Sequence, residues 1–395
     1  MDSLVFVLRG INPYQTTRLA LQKYPFPNLR SRKVLIKPNA ARLALPGEGV
    51  TTHPGVVEAT IDYLKEVGVQ DILVGESCIF GVKAKEAFEM TGMKEVCENK
   101  KVQLIDFDQV DPVILMIPGG RVIKKLKIPS TLKEVDFIIS IPVMKTHMHT
   151  QVTLSLKNMK GCLWRREKVR LHQLRCKEEI TQGYKELDIA ISEMGTVLFP
   201  HLAIIDGTVG MEGMGPAYGK KKEMGIVVIG QNGLSTDAVA TRLMGLDPEG
   251  VPHLKLSSER GLGEITMDRI SIEPKDFLQW ENPFNPPPQR ISIPFPDVTV
   301  HDEGSCSACL STLLVFLQEH HTALDDYLLP DRKIHIGIGK HISGCPQGTI
   351  LIGNCASRMK SKGIFVQGCP PVSSQILRTL GIPSRPTQDK VKGVS

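Results

Sequence analysis

KVLIKPN (Lys33–Asn39), THPGVVEATIDYLKEVGV (Thr52–Val69) and DILVGES (Asp71–Ser77) spell out one repeating structural unit. The first is a short apolar run that ends in polar residues, as a buried strand does when its carboxyl end opens into a loop. In the second, Pro54 suits a first helical turn, Val57, Ile61 and Leu64 share one face, and Gly68 supplies the stop. The third is again a strand. Strand, helix, strand at this spacing is a parallel crossover.

The alternation continues outward. Val102–Ile105, Asp136–Val143, His201–Asp206 and Ile226–Ile229 read as strands, and Lys177–Leu198 as one long helix. A further helix begins at Ser235 or Thr236 and runs to Gly245, with Asp237 in its first turn, where a carboxylate offsets the positive helix end. The expected class is α/β: a mostly parallel sheet with helices on both faces.

Of the 395 residues, 41% are apolar and 23% charged, which excludes a disordered, collagenous or coiled-coil chain. The net charge of +6 is too mild to argue for nucleic acid, and no nucleic-acid motif is present. The opening MDSLVFVLRG has no basic region or small-residue cleavage site. The longest apolar run, around Phe137–Met144, is about half the ~20 residues that a membrane span needs. A cytoplasmic protein without a membrane span is expected.

The proline-dense stretch ENPFNPPPQRISIPFP (Glu281–Pro296) resists both helix and central strand. It divides the chain into a domain at 1–280, a linker at 281–300 and a smaller α/β domain at 301–395. In the smaller domain, a helix is predicted at about Ser307–His320. The strands IHIGIG, TILIGN and GIFVQG follow, then a last helix at about Ser373–Leu380.

Five of the nine cysteines lie beyond this boundary. Cys306 and Cys309 form a CxxC before a helix, Cys355 and Cys369 follow two strands, and Cys345 lies in a loop between strands. In a reducing compartment, clustered thiols point to metal or redox chemistry more than to disulfides. Four thiolates converging from one turn and two neighbouring strand ends suit a 4Fe-4S cluster, with Gly353 and Gly368 allowing close backbone approach. Structural zinc, a CxxC redox pair and plain buried thiols remain alternatives. Cys78, Cys97, Cys162 and Cys176 read mostly as packing residues.

Four polar clusters fall where strands end: KPNA (Lys37–Ala40), GES (Gly75–Ser77), KTHMHT (Lys145–Thr150) and DGTVGMEGMGP (Asp206–Pro216). Ligands of open α/β sheets bind beyond the carboxyl ends of strands. Lys145, Lys157 and Lys160 suit a carboxylate or phosphate. His147 and His149 lie on one side of an extended segment and suit metal or proton transfer. Asp206 and Glu212 are candidate catalytic or metal carboxylates. The glycine-rich run Gly207–Gly219 reads as an anion-binding loop, a lid or a plain turn. Lys157–Lys177 holds eight Lys or Arg and one Glu, a basic strip for an anionic substrate, an acidic partner or a solvated face.

Two resemblances extend this reading. CxxC before a helix, then GNC, then VQGCPP before a final helix resembles the cluster domain of nickel–iron hydrogenase small subunits and their relative in respiratory complex I. That resemblance implies one 4Fe-4S cluster on a flavodoxin-like domain, held by Cys306, Cys309, Cys355 and Cys369, with Cys345 as a fifth candidate. Nothing here resembles the nickel-bearing subunit.

KPN, THPGVVEATIDYLKE, LVGES, PVMKTH, VTLSLKNMKG, TVGMEGMGP and STDAVATRLMGLDP, over roughly 34–263, resemble the family called domain of unknown function 362. Its members are prokaryotic, often carry iron–sulfur clusters, and have no established general reaction. Many have a ferredoxin-type insertion that this chain lacks, so the C-terminal domain would be the only cluster carrier.

Three functions follow as expectations. The first is a cytoplasmic iron–sulfur protein whose C-terminal cluster exchanges electrons with a redox partner protein or with a small anionic substrate. Lys145 and His147 would orient or protonate that substrate, with Asp206 and Glu212 assisting. The second is a non-redox enzyme or metal-binding protein with a structural metal at the cysteines, acting for example as a racemase or hydrolase on a small acid. The third is an assembly protein that docks an acidic partner through Arg165, Arg166 and Lys168.

Overall fold

The computed structural model describes residues 4–79, 81–287 and 295–383. Two compact units are present, Met1–Pro287 and Pro288–Ser395. Residues 288–294 of the proline-rich linker lie outside the described residues.

Among the described residues, twelve strands lie in the first unit: β1 (Leu4–Arg9), β2 (Lys33–Pro38), β3 (Asp71–Glu76), β4 (Gln103–Asp106), β5 (Pro112–Met116), β6 (Lys125–Pro129), β7 (Phe137–Ile141), β8 (Val143–His147), β9 (Gln151–Thr153), β10 (Leu202–Glu212), β11 (Lys220–Gly230) and β12 (Ser271–Glu273). β5 and β6 pair apart as an antiparallel hairpin. The others form a ten-stranded sheet in the order β12-β1-β11-β10-β7-β2-β3-β4, with β8 beside β10 and β9 beside β8. Pairing is parallel from β10 through β7, β2 and β3 to β4, and antiparallel where β11 meets β1 and β10.

Strand alternation explains the two helical layers. Val34 and Ile36 pack on one face with Val57, Ile61 and Leu64 of the helix Pro54–Glu66. Leu35 packs on the other with Ala190, Ile191 and Met194 of Glu186–Gly195 and Ala238 of Gly233–Leu243. A strand covered on both faces is a continuous apolar run, which is what VLI is. The helix Pro54–Glu66 begins as its sequence predicts, with Pro54 in the first turn and the His53 side chain accepting from Gly55 N.

Three predicted elements differ. The long helix over Lys177–Leu198 is two, Glu178–Thr181 and Glu186–Gly195, because Gln182 and Gly183 adopt left-handed backbone that interrupts it. The predicted strand Asp136–Val143 is broken at Pro142, and β8 continues through Lys145 to His147, so those residues lie on a buried strand instead of in a loop. The glycine-rich run is part strand and part turn, with Gly213, Gly215 and Gly219 between β10 and β11. Gly207 and Gly210 lie within β10, and a Cβ on Gly210 would stand 2.5 Å from the Met144 carbonyl. The glycine lets β8 and β10 approach.

The described residues of the second unit form a four-stranded, all-parallel sheet in chain order: β13 (Val298–Asp302), β14 (Ile334–Ile338), β15 (Thr349–Ile352) and β16 (Gly363–Val366). The last three are the strands predicted, and the helices Ser307–His320 and Ser373–Leu380 fall where the pattern places them. β13 was not legible as a strand.

Candidate functional site

In the first sheet the chain leaves β2 toward β3 and β4, then returns to place β7 on the other side of β2. That reversal is a topological switch point, where loops leave adjacent strands in opposite directions and open a crevice. The polar clusters meet at its carboxyl edge.

A buried ion pair forms the floor. Lys37 Nζ donates to Glu76 Oε2 at 2.7 Å, to the Pro38 carbonyl at 2.6 Å and to Asn158 Oδ1 at 3.0 Å. Glu76 also accepts from the backbone N–H of Ala40 and Ser77. Asn158 Nδ2 donates to the Lys37 carbonyl and to Ser140 Oγ. Gly161 covers the pair: a Cβ there would stand 2.6 Å from Lys37 Nζ and overlap Glu76 Oε1.

Above the floor lies a set of cations. Lys145, 2% exposed, donates to Asn39 Oδ1 at 3.0 Å and to the Val50 carbonyl at 2.6 Å. Burial, and then the charges of Arg42 and Lys157, hold its pKa well below the ordinary lysine range. Lys157 is pushed down to about 8 by burial and by Arg42, while Asp188 pulls the other way. Lys160 touches His172 Nε2, and burial followed by Lys157, Lys168 and Arg42 depresses it strongly. Lys168 turns inward from the basic strip to the Ser77 and Cys78 carbonyls.

Three imidazoles line the same region. Ring centroids of His147 and His149 are 5.5 Å apart, and those of His149 and His172 are 6.3 Å apart. His147 Nδ1 accepts from the His149 backbone N–H at 3.1 Å, which assigns the proton of the neutral ring to Nε2. Burial and then Lys157 lower its pKa well below the usual value, so His147 is a neutral donor at pH 7.

The two predicted carboxylates have other partners. Asp206 accepts from His53 N at 2.7 Å and from Thr208 N and Oγ1, fixing the turn that starts the helix Pro54–Glu66. Burial nonetheless raises its pKa. Glu212 accepts from Asn285 N and Nδ2 and lies 3.4 Å from Lys222. Burial pushes the Glu212 pKa up, but those bonds outweigh it and hold it below the usual range. Asp237, read from sequence as a dipole partner of its own helix, instead accepts from Ser155 N at 2.7 Å and Leu156 N at 2.8 Å. It caps the turn that carries Lys157 and Asn158, and burial raises it to about 8.

Sequence reasoning missed Arg42 and His172. Arg42 stands among small and apolar residues in the loop after β2, which carries no periodic signal. Its position just past a strand end was the available clue. Cys78, Cys97 and Cys162 are buried, and burial raises each thiol to about 12, so they are packing groups.

In the second unit, the Cys309 thiol is raised by a hydrogen bond with Cys306, by burial, and by the charges of Cys306, Cys369 and Cys355. The four sulfurs therefore share one neighbourhood. Gly353, at φ +94°, has its missing Cβ position 3.1 Å from Cys309 Sγ. Cys345 packs against Ile342, Leu351 and Ala356. Among the described residues, no group of three or more His, Cys, Asp or Glu is arranged to hold a single metal ion.

The fold and this site define a two-unit α/β protein with a buried cluster of lysines and histidines at the switch point of its larger sheet. The chain belongs to the family described as Domain of unknown function (DUF362), whose model matches residues 34–242. It is 26% identical over 236 residues to the Thylakoid-associated protein sll1697 of Synechocystis sp., a match covering 58% of this chain and 68% of that protein. It is similar in structure to the lactate racemase apoprotein from Thermoanaerobacterium thermosaccharolyticum, with a TM-score of 0.38 and 14% identity. That likeness covers 66% of this chain and 57% of the other, so the chain spans less than two thirds of that protein. No helix among the described residues is long and apolar enough to cross a membrane.

Proposed function

We propose that the chain is an iron–sulfur redox protein, with a 4Fe-4S cluster on Cys306, Cys309, Cys355 and Cys369 and a small-anion site in the first unit. The observation that carries the cluster is the gathering of those four thiols, two from one helical turn and two from neighbouring strand ends. The donor set fits the group, and Gly353 leaves open the space beside Cys309 that a side chain would fill. Bound there, a cluster supplies one-electron transfer. Serine replacement tests the assignment: C306S, C355S and C369S lose iron after anaerobic purification, whereas C345S keeps it. Iron retained in all of the first three, or lost in C345S, contradicts it.

The small-anion site is supported by the excess of buried cations over carboxylates at the switch point. Lys145 is held by Asn39 and the Val50 carbonyl and contributes field and position. His147 Nε2–H is the group suited to donate a hydrogen bond or a proton to a bound oxyanion. Asp206 and Glu212 assist by fixing backbone. Equilibrium dialysis of the whole chain against malonate and inorganic phosphate tests the site, and no binding of either at millimolar concentration would sink it.

A further inference from the structure

We infer that the outer face of the β5–β6 hairpin docks on an anionic lipid bilayer, with Ile114 and Met116 entering the headgroup region and Lys125, Lys127 and Arg165 meeting its phosphates. The inference is independent of the proposed cluster and anion site.

The hairpin stands apart from the ten-stranded sheet. One of its faces is held by the core, through buried Leu126 and Ile128 and half-buried Val113 and Leu115. Strand alternation turns the other set of side chains outward. The register there sets Ile114 opposite Lys127 and Met116 opposite Lys125. Ile114 is 49% exposed and Met116 60%, and both lysines are exposed. A single exposed apolar side chain is ordinary on a soluble surface. Here two lie two residues apart on one face, each directly across from a cation, so the four side chains form one amphipathic patch.

The patch continues beyond β6. The Trp164 backbone N–H donates to the Lys127 carbonyl at 2.9 Å, and its indole N–H donates to the Val110 carbonyl at 3.0 Å. These bonds fix the half-buried indole beside the hairpin. Lys127 Nζ lies 5.9 Å from the centre of its ring, and the guanidinium carbon of exposed Arg165 lies 4.3 Å from it. Lys127 thus joins the hairpin to the basic strip. Asp108 accepts from the Arg165 backbone N–H, and exposed Asp111 stands at the root of the hairpin. Among the described residues, Lys125, Lys127 and Arg165 form no ion pair with these or other carboxylates.

This combination matches a bilayer surface better than an acidic protein. At a membrane interface apolar side chains reach the boundary between headgroups and acyl chains, indole rings sit at headgroup level, and cations meet lipid phosphates. An acidic polypeptide would pair with the three cations and leave Ile114 and Met116 against polar chain.

Sedimentation of the full-length chain with liposomes tests the inference. The liposomes are phosphatidylcholine alone, or phosphatidylcholine mixed with phosphatidylglycerol. Wild type is expected to bind the mixed liposomes about tenfold or more tightly than phosphatidylcholine alone. That binding is lost at about 1 M salt, where the screening length is about 3 Å. K125E/K127E weakens it by about tenfold or more, since each lysine beside an anionic bilayer contributes roughly fivefold. K125R/K127R keeps it. I114S/M116S weakens it by about threefold or more while leaving the salt dependence. Melting temperatures of all three variants match wild type, because the four side chains face water. No binding of wild type to the mixed liposomes, equal binding to phosphatidylcholine alone, or undiminished binding by K125E/K127E or by I114S/M116S overturns the inference. A wild type that ignores liposomes but is retained on immobilised polyglutamate, with retention lost in K125E/K127E, assigns the face to an acidic protein instead and also overturns it.

Discussion

The Lys37 ammonium lies 2.7 Å from the Glu76 carboxylate with both side chains sealed from solvent. β2 and β3 deliver the two residues side by side, and the pair's other hydrogen bonds run to backbone or to Asn158. Removing one partner strands the other charge. E76Q and K37M are each expected to cost about 3–5 kcal/mol in urea unfolding. A loss below about 1 kcal/mol in both would show that the pair is hydrated and is not the floor of the site.

Gly161 is the lid on that pair. Replacing it with alanine places a methyl group over Glu76 Oε1 and 2.6 Å from Lys37 Nζ. G161A is expected to destabilise by about 1–3 kcal/mol through overpacking. A neutral substitution would mean that the turn Met159–Cys162 moves freely away from the ion pair.

Malonate or phosphate affinity should fall as pH rises through about 8, where Lys157 loses its proton in the free protein. The sign follows from the direction of the shift. The protonated form binds the anion and is fully present below this range. An unfolded-chain lysine keeps its proton to about 10.4, so the ligand-free fold gains stability between about 8 and 10. Affinity that is flat from pH 6 to 10 contradicts the role of Lys157.

D237N tests how the site is held. An amide oxygen replaces only one of the two acceptors that meet Ser155 N and Leu156 N. The expected cost is about 1–3 kcal/mol, from one unpaired buried N–H. Anion affinity should fall with it, because this turn carries Lys157. Unchanged stability and binding would show that the turn needs no cap.

The parallel units were legible because apolar runs covered on both faces leave an unmistakable pattern, as in VLI of β2 and ILV of β3. The polar strand ends were legible as candidates for the same reason: each follows such a run. What each polar residue does was not legible. Asp206 and Glu212 have the composition of catalytic carboxylates, yet their partners, His53 and Asn285, are distant in sequence. Lys145 is the lysine of a conspicuous motif, and it is held by a side chain and a carbonyl about 100 residues upstream. Arg42 has no motif and lies in the irregular loop after β2. The glycine run was left open between an anion-binding loop, a lid and a plain turn, because close strand approach and turn flexibility favour the same residue.

Iron and acid-labile sulfide in the full-length chain, purified anaerobically, test the redox reading most directly. The reading predicts about four of each per chain, with an electron paramagnetic resonance signal that appears on reduction and is lost in C306S. Zinc in place of iron, or sulfide absent after anaerobic reconstitution, would contradict it.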